Sequence, residues 1–121
     1  MMRFVLDASM AGALMLHDER NDFAESLLDA MIADRALAPN LLIHEATNLI
    51  SIAVRKGRAD PAAARYALSD FLGLPIDFCV PGSGSGAVAV LNLAMKHRLT
   101  GYDAAYLDLA LRENAMLATF D

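Results

Sequence analysis

The sequence is poor in the residues that would place it in several common classes of protein. A single cysteine, Cys79, cannot form an internal disulfide, and its apolar neighbours suggest a buried thiol in a reducing cytosol. The three histidines show no paired spacing, which argues against a structural zinc site. No stretch approaches the roughly 20 continuous apolar residues of a membrane-spanning helix, and the start lacks the pattern of a signal peptide. We therefore expect a cytoplasmic protein with no membrane segment.

Positive charge is also scarce, because the formal net charge at pH 7 is −5. That balance argues against broad electrostatic capture of nucleic acid. Two short basic clusters are present, one over residues 55–58 and one over residues 96–98. Such clusters are typical of solvated helix ends.

Apolar side chains, by contrast, are abundant: 56% of the residues are hydrophobic and the mean hydropathy is +0.36. A chain of 121 residues fits one domain spanning 1–121. So small a domain has little interior for this much apolar surface. We expect an exposed apolar patch that serves a dimer or partner interface, the alternative being an Ala-rich helical core with ordinary surface exposure.

Short strands and helices are predicted to alternate along the chain. Strands are expected at 3–6, 37–39, 76–80 and 115–118, and helices at 10–16, 22–33, 41–55, 61–72, 87–97 and 103–113. Alternation within one unit predicts an α/β fold with a mostly parallel sheet. Functional sites in such folds gather at the carboxyl ends of the strands.

Four acidic residues stand in apolar sequence where a predicted strand gives way to a helix or the chain turns. They are Asp7, Glu45, Asp103 and Asp121. Carboxylates are scarce in such surroundings because an unpaired buried charge is costly. If the fold gathers them, neighbouring carboxylates ~4 Å apart repel by roughly 1–4 kcal/mol per pair, and a divalent cation would remove that strain. The pattern predicts a metal-dependent phosphoryl-transfer enzyme.

Each acid has a structural alternative. Asp7 can cap a helix, but Ser9 is the expected cap, which leaves Asp7 freer to bind metal. Glu45 falls within an apolar helical stripe, where it needs a partner or an ion unless it reaches solvent, and Asn48 lies one turn on to orient it.

Asp103 can itself cap or begin a helix, with Thr100 as a rival cap, and Asp108 is expected to face solvent. Asp121 can be read as a terminal acid. The joint placement of the four acids favours the site.

Three stretches resemble the PIN-domain family, specifically the VapC-type toxins of bacterial toxin–antitoxin pairs: FVLDAS, PNLLIHEATNLI and LTGYDAAYLDLALRENAMLATFD. The likeness covers essentially the whole chain and implies a three-layer α/β/α sandwich. It also implies an acidic quartet of Asp7, Glu45, Asp103 and Asp121, with Ser9 as a polar helper. The implied activity is that of a Mg²⁺- or Mn²⁺-dependent endoribonuclease. The implied partners are an RNA substrate, a second copy of the chain in a homodimer, and an antitoxin that threads a segment into a groove. Relatives usually continue past LATFD into a helix and a final strand; lacking them, the sheet would be short of one edge.

The quartet suits the chemistry of hard cations, which prefer octahedral oxygen coordination and keep several waters. We expect Asp7 and Asp103 to be direct ligands, with Glu45 and Asp121 binding through water, holding a second ion or positioning the attacking water. Two alternatives stay open. One is an inactive PIN-like module that binds RNA or antitoxin; the other is a different acidic-pocket phosphatase, although Ser9 stands where a dehalogenase-like enzyme needs a second aspartate.

Overall fold

Four parallel strands form one sheet at the centre of the computed structural model, which describes residues 3–16, 22–81 and 84–118. The strands are β1 (Phe4–Leu6), β2 (Ala36–Pro39), β3 (Ile76–Cys79) and β4 (Met116–Ala118). Their spatial order is β3-β2-β1-β4, so the first strand and the last strand of the described chain are neighbours. The strands are short and largely apolar, as expected where a sheet is covered on both faces.

Six helices of the described part of the chain cover this sheet. They are α1 (Ala8–Met15), α2 (Asp22–Ala33), α3 (Leu41–Arg55), α4 (Pro61–Leu72), α5 (Gly84–His97) and α6 (Gly101–Arg112). Helices α1, α3 and α4 pack against one another, whereas α6 packs on β1, β2 and β4 and carries α5. Right-handed crossovers explain this division, since the path runs from β1 to β2 to β3 and then returns past β1 to β4. The predicted three-layer α/β/α sandwich is confirmed.

Local signals set most of the element boundaries. Asp60 caps α4 by accepting a hydrogen bond from the Ala63 N–H at 2.9 Å, and Pro61 occupies the first helical position, where a missing N–H costs nothing. Helix α3 runs over the predicted residues and is followed by Gly57 at φ +74°. These residues act within one turn of their own position, so sequence alone predicts them well.

Three predictions about local structure are wrong. Helix α1 begins at Ala8 with Asp7 as its cap, so Ser9 lies inside the helix instead of capping it. The sequence predicts a flexible turn over residues 81–86, but α5 already begins at Gly84; a Cβ at Gly86 would lie 3.3 Å from the Pro81 backbone, so the first turn packs closely there. The helical spacing predicts Phe23 and Ile32 on the inner side of α2, but both are exposed, because α2 turns Ala24, Leu27 and Met31 inward.

Helices α3, α5 and α6 end in the same way, with one residue in the left-handed region. That residue is Gly57 after α3, Arg98 (φ 55°) after α5 and Asn114 (φ 51°) after α6. In each case the next N–H donates to a carbonyl five residues back, at 2.9 Å, which is the Schellman arrangement. Glycine and asparagine are the usual residues at this position, and arginine is not.

The core lies between the sheet and its helices, and several large apolar side chains remain outside it. Leu6, Met10, Met31, Leu42 and Leu109 are among the fully buried residues. Val88, Leu91 and Met95 are more than half exposed on α5, which is consistent with the predicted apolar patch. Cys79 is half-buried, and burial raises the pKa of its thiol. Among the described residues, none of the helices has the length and apolar character needed to cross a membrane.

Candidate active site

The carboxyl ends of β1 and β4 lie side by side. Leu6 pairs with Ala118 in the sheet register, and the Asp7 N–H donates to the Ala118 carbonyl at 3.3 Å. The order of the strands reverses at β1, and ligands of open α/β sheets bind at such a switch point. Asp7 therefore stands at the edge of the sheet where a site is expected. Asp121 follows Ala118 by three positions in the sequence and lies outside the described residues.

Asp7 caps α1 through one of its two carboxylate oxygens. Its Oδ1 accepts hydrogen bonds from the Ser9 N–H at 3.0 Å and from the Ser9 hydroxyl at 2.6 Å. The side chain is half-buried. Capping and metal binding need not compete, since the two bonds both fall on Oδ1. Ser9 thus contacts Asp7 directly, and its role as a polar helper stays a prediction.

Glu45 lies one turn into α3 and is hydrogen-bonded to a side chain of the helical layer on the other side of the sheet. The Tyr106 hydroxyl on α6 donates a hydrogen bond to Glu45 Oε1 at 2.5 Å. Tyr106 is only 4% exposed, while Glu45 is half-buried. A glutamate in an apolar helical stripe was expected to need a partner or an ion, and in this structure Tyr106 is that partner. Asn48, expected to orient Glu45, is exposed.

Three of the predicted carboxylates act on the Tyr106 hydroxyl. Burial raises the pKa of this hydroxyl well above its usual range, and the hydrogen bond and charge of Glu45 raise it further. The charges of Asp7 and Asp103 act in the same direction, which means that both lie near enough to be felt at the hydroxyl. Tyr106 consequently stays protonated and remains a hydrogen-bond donor.

Asp103 lies in the first turn of α6 and does not cap this helix. The Thr100 hydroxyl accepts a hydrogen bond from the Asp103 N–H at 3.0 Å, so Thr100 is the cap. The Asp103 side chain is exposed and begins a helix, where the positive end of the helix dipole favours a carboxylate. It is therefore available to a ligand.

Asp108 was predicted to face solvent, but its side chain is buried. It is 6% exposed and accepts a hydrogen bond from Arg112 Nε at 2.8 Å. Helix α6 is covered both by the sheet and by α5, so fewer of its positions reach water than an amphipathic pattern implies. Arg112, one turn on, compensates the buried charge.

The donors at this edge fit a hard divalent cation in kind. Asp7, Glu45 and Asp103 offer carboxylate oxygens, which Mg²⁺ and Mn²⁺ prefer, and such ions keep several waters. Within residues 3–16, 22–81 and 84–118, no three acidic, histidine or cysteine side chains lie close enough to hold a metal ion as they stand. A bound ion would therefore need water molecules or a further ligand to complete its coordination.

Tyr106 is the site residue that the sequence interpretation missed. It lies three positions after Asp103 on the same helix, and this spacing puts both side chains on one face. In the stretch YDAAYL, however, a tyrosine among apolar residues is most simply read as core. Its spacing of three positions from Asp103, a candidate ligand, was the sequence signal that pointed to Tyr106.

A groove lies near the carboxyl end of α3, away from the carboxyl edge of the sheet. A groove of about 890 Å³ opens between α1, α2 and α4 near the end of α3. Its apolar lining includes Leu14, Leu28, Ile50, Phe71 and Leu74, and Arg58, Asp60 and Asp70 also line it. The carboxyl edge of the sheet with Asp7, Glu45 and Asp103 is called the acidic edge below. Glu45 and Gly57 are twelve residues apart, so the groove lies roughly 18 Å from the acidic edge along the helix.

Comparisons with known proteins agree with this architecture. The family described as PIN domain matches residues 4–121. Four solved chains match; one is the crystal structure of PAE2754 from Pyrobaculum aerophilum, with a TM-score of 0.76 and 29% sequence identity, covering 99% of this chain and 75% of that chain. No curated protein sequence matches. PIN domains are generally nucleases that use divalent metals, and by the extent of the family match this chain belongs to the PIN-domain family.

Proposed function

We propose that this chain is a Mg²⁺- or Mn²⁺-dependent endoribonuclease, and the toxin of a VapC-type toxin–antitoxin pair. The observation that supports it most is the hydrogen bond from the buried Tyr106 hydroxyl to Glu45, with the charges of Asp7 and Asp103 near enough to raise the pKa of the same hydroxyl. Asp7 and Asp103 are the proposed direct ligands. Glu45 and Asp121 are proposed to bind through water, to hold a second ion or to position the attacking water.

The residues divide the work as follows. When bound, the cation lowers the pKa of a water molecule and stabilises negative charge on the phosphate and the departing oxygen. Ser9 holds the Asp7 carboxylate by two hydrogen bonds, and the Tyr106 hydroxyl holds Glu45. Thr100 caps α6 and leaves the Asp103 carboxylate for the ion. The contacts of Ser9 and Tyr106 fix Asp7 and Glu45 before an ion arrives.

Incubation of the purified, antitoxin-free protein with total RNA tests the activity. Cleavage is expected with Mg²⁺ or Mn²⁺ and not with EDTA, with 5′-phosphate and 3′-hydroxyl ends. The double substitution Asp7→Asn with Asp103→Asn should abolish both cleavage and the rise in Tm that the ion produces. Asp29→Asn, at an exposed acid on α2, is the matched control and should change neither.

Two results would count against the proposal. Metal-independent cleavage would contradict the role of the acids. Metal and RNA binding without cleavage would instead favour the alternative of an inactive PIN-like binding module.

We also propose that the protein works in the cytoplasm.

We propose further that the groove at the far end of α3 receives a segment of the antitoxin. The apolar lining suits an amphipathic peptide, and the charges of Arg58, Asp60 and Asp70 suit polar contacts beside it. Ala63→Arg, at an exposed lining position, should weaken capture of the small protein encoded beside this chain. Cleavage by Ala63→Arg should stay at the unsubstituted level, because the groove and the acidic edge lie at opposite ends of α3.

A further inference from the structure

Arg98 occupies an unfavourable backbone position at the end of α5. Its φ is 55°, in the left-handed region where a side chain with a Cβ is disfavoured, and the Leu99 N–H closes the turn on the Ala94 carbonyl. The equivalent residue is Gly57 after α3 and Asn114 after α6, both suited to this conformation. An arginine in so sparsely populated a conformation points to a use for its side chain.

Among the described residues, the Arg98 side chain has no protein partner. It is exposed, and within residues 3–16, 22–81 and 84–118 it makes no ion pair or side-chain hydrogen bond. Lys96 and His97 precede it in the last turn of α5 and are also exposed. In a chain of net charge −5, this is a local concentration of positive charge. The helix dipole accounts for cations in the last turn, but not for one beyond it in a strained conformation.

The cluster lies at the same end of the α5–α6 pair as the acidic edge. Thr100 caps α6 two residues after Arg98, and Asp103 lies in the first turn that follows. Five residues span at most about 18 Å, and a folded turn spans less. The other basic cluster, at Arg55 and Lys56, lies at the far end of α3.

We propose that Arg98, with Lys96 beside it, binds the phosphodiester backbone of single-stranded nucleic acid next to the acidic edge. The inference rests on the proposed function for the identity of the substrate as RNA. A guanidinium binds phosphate through paired hydrogen bonds, and each phosphate contact releases counterions from the strand. Arg98 thus holds the strand at a fixed distance from the carboxylates, while the net negative charge elsewhere discourages other modes of binding.

The test is RNA binding at several salt concentrations, measured with Mg²⁺ in the cleavage-inactive background of Asp7→Asn with Asp103→Asn. Arg98→Gly should weaken binding roughly threefold to tenfold and lower the salt dependence by about one phosphate contact. It should also raise Tm by about 2–5 °C, because glycine relieves the backbone strain. Weaker RNA binding together with a higher Tm in Arg98→Gly would show that the Arg98 side chain serves binding and not stability.

Three variants serve as controls. Arg98→Lys keeps the charge and should retain most of the binding and its salt dependence. Lys56→Ala removes one exposed positive charge at the far end of α3 and should leave binding unchanged. Asn114→Gly alters the same backbone position after α6 and should also leave binding unchanged.

Wild-type affinity in Arg98→Gly, or an equal loss in Lys56→Ala, would overturn the inference. RNA binding through Arg98 by a protein that never cleaves RNA would uphold the inference and reject the proposed catalysis. Absence of any RNA binding in this background would reject the inference, and failure of the unsubstituted protein to cleave RNA would separately reject the proposed catalysis.

Discussion

The Asp7 carboxylate combines two tasks that single substitutions can separate. Its Oδ1 caps α1 through Ser9, while its position after β1 offers it to a ligand at the edge of the sheet. Asparagine caps a helix about as well as aspartate, whereas alanine does not. The cap depends on the shape of the side chain, and cation binding depends on its charge.

Asp7→Asn should therefore keep the free energy of unfolding of the metal-free protein within about 0.5 kcal/mol, or raise it slightly by reducing like-charge repulsion. Asp7→Ala should lower it by about 1 kcal/mol. Both substitutions should reduce the stabilisation produced by Mn²⁺. Chemical denaturation with and without Mn²⁺ measures both quantities. Equal losses of metal-free stability in the two variants would show that the side chain does not act as a cap.

The hydrogen bond from Tyr106 to Glu45 is the other test at this scale. Tyr106→Phe leaves a half-buried carboxylate without its donor and should cost about 1–2 kcal/mol of unfolding free energy. Glu45→Gln should be neutral or slightly stabilising in the metal-free protein, because the amide oxygen still accepts the bond and one of several like charges disappears. The same Glu45→Gln change should reduce RNA cleavage severely.

A double-mutant cycle of these two changes should show coupling, since a neutral acceptor loses less when the hydroxyl is removed. Tyr66→Phe is the control, because Tyr66 is 72% exposed on α4. Additive effects, or normal cleavage by Glu45→Gln with lowered metal-free stability, would return Glu45 to a structural role.

At the scale of elements, two glycines at helix ends differ in backbone conformation but not in available space. A Cβ at Gly57 or at Gly84 would meet no atom within 4 Å. Gly57 has φ +74° and follows α3, whereas Gly84 begins α5 without a positive φ. Differences between alanine substitutions at the two positions therefore report backbone strain without a steric contribution.

Gly57→Ala should lower the free energy of unfolding by about 1 kcal/mol, because alanine is strained in the left-handed region. Gly84→Ala should raise it by roughly 0.4–1 kcal/mol by restricting the unfolded chain. Denaturation by urea measures both. Opposite signs support the assigned helix ends, whereas a loss at Gly84 would mean that α5 begins later.

Sequence predicted elements best where one residue or a short cap decides the boundary. Pro61 and Gly57 fixed two helices in this way, and the alternation of strands with helices predicted the sheet and its layers. The start of α5 was missed because glycine and serine favour turns, whereas in the fold Gly86 packs closely against Pro81. Asp108 was misread and Tyr106 was missed because α6 is covered on two sides, which depends on where distant elements pack. Asp121 lies outside the described residues, so its place in the site stays a prediction.

For the whole molecule, the distribution of apolar surface predicts self-association. Val88, Leu91 and Met95 fall on one face of α5 and are each more than half exposed. A stripe of large exposed apolar side chains on one helix is typical of an interface. We propose that a second copy of the chain covers it.

The protein should therefore run as a dimer at micromolar concentration, and Leu91→Glu should convert it to a monomer by placing charges in the interface. Ala89→Glu, at an exposed position on another side of α5, should leave the dimer intact. Light scattering coupled to size exclusion gives the mass of each species. A wild-type monomer, or equal dissociation by both substitutions, would contradict the assigned face.

The pairing of β1 with β4 also has a consequence for when the acidic edge forms during synthesis. Phe4 pairs with Met116, so the carboxyl edge that holds Asp7 is completed only after β4 has left the ribosome. Glu45 likewise meets Tyr106 from 61 positions away. Contacts so distant in sequence form late, after the local helices. If the chain cleaves RNA as proposed, a nascent chain that still lacks β4 has no assembled acidic edge with which to do so.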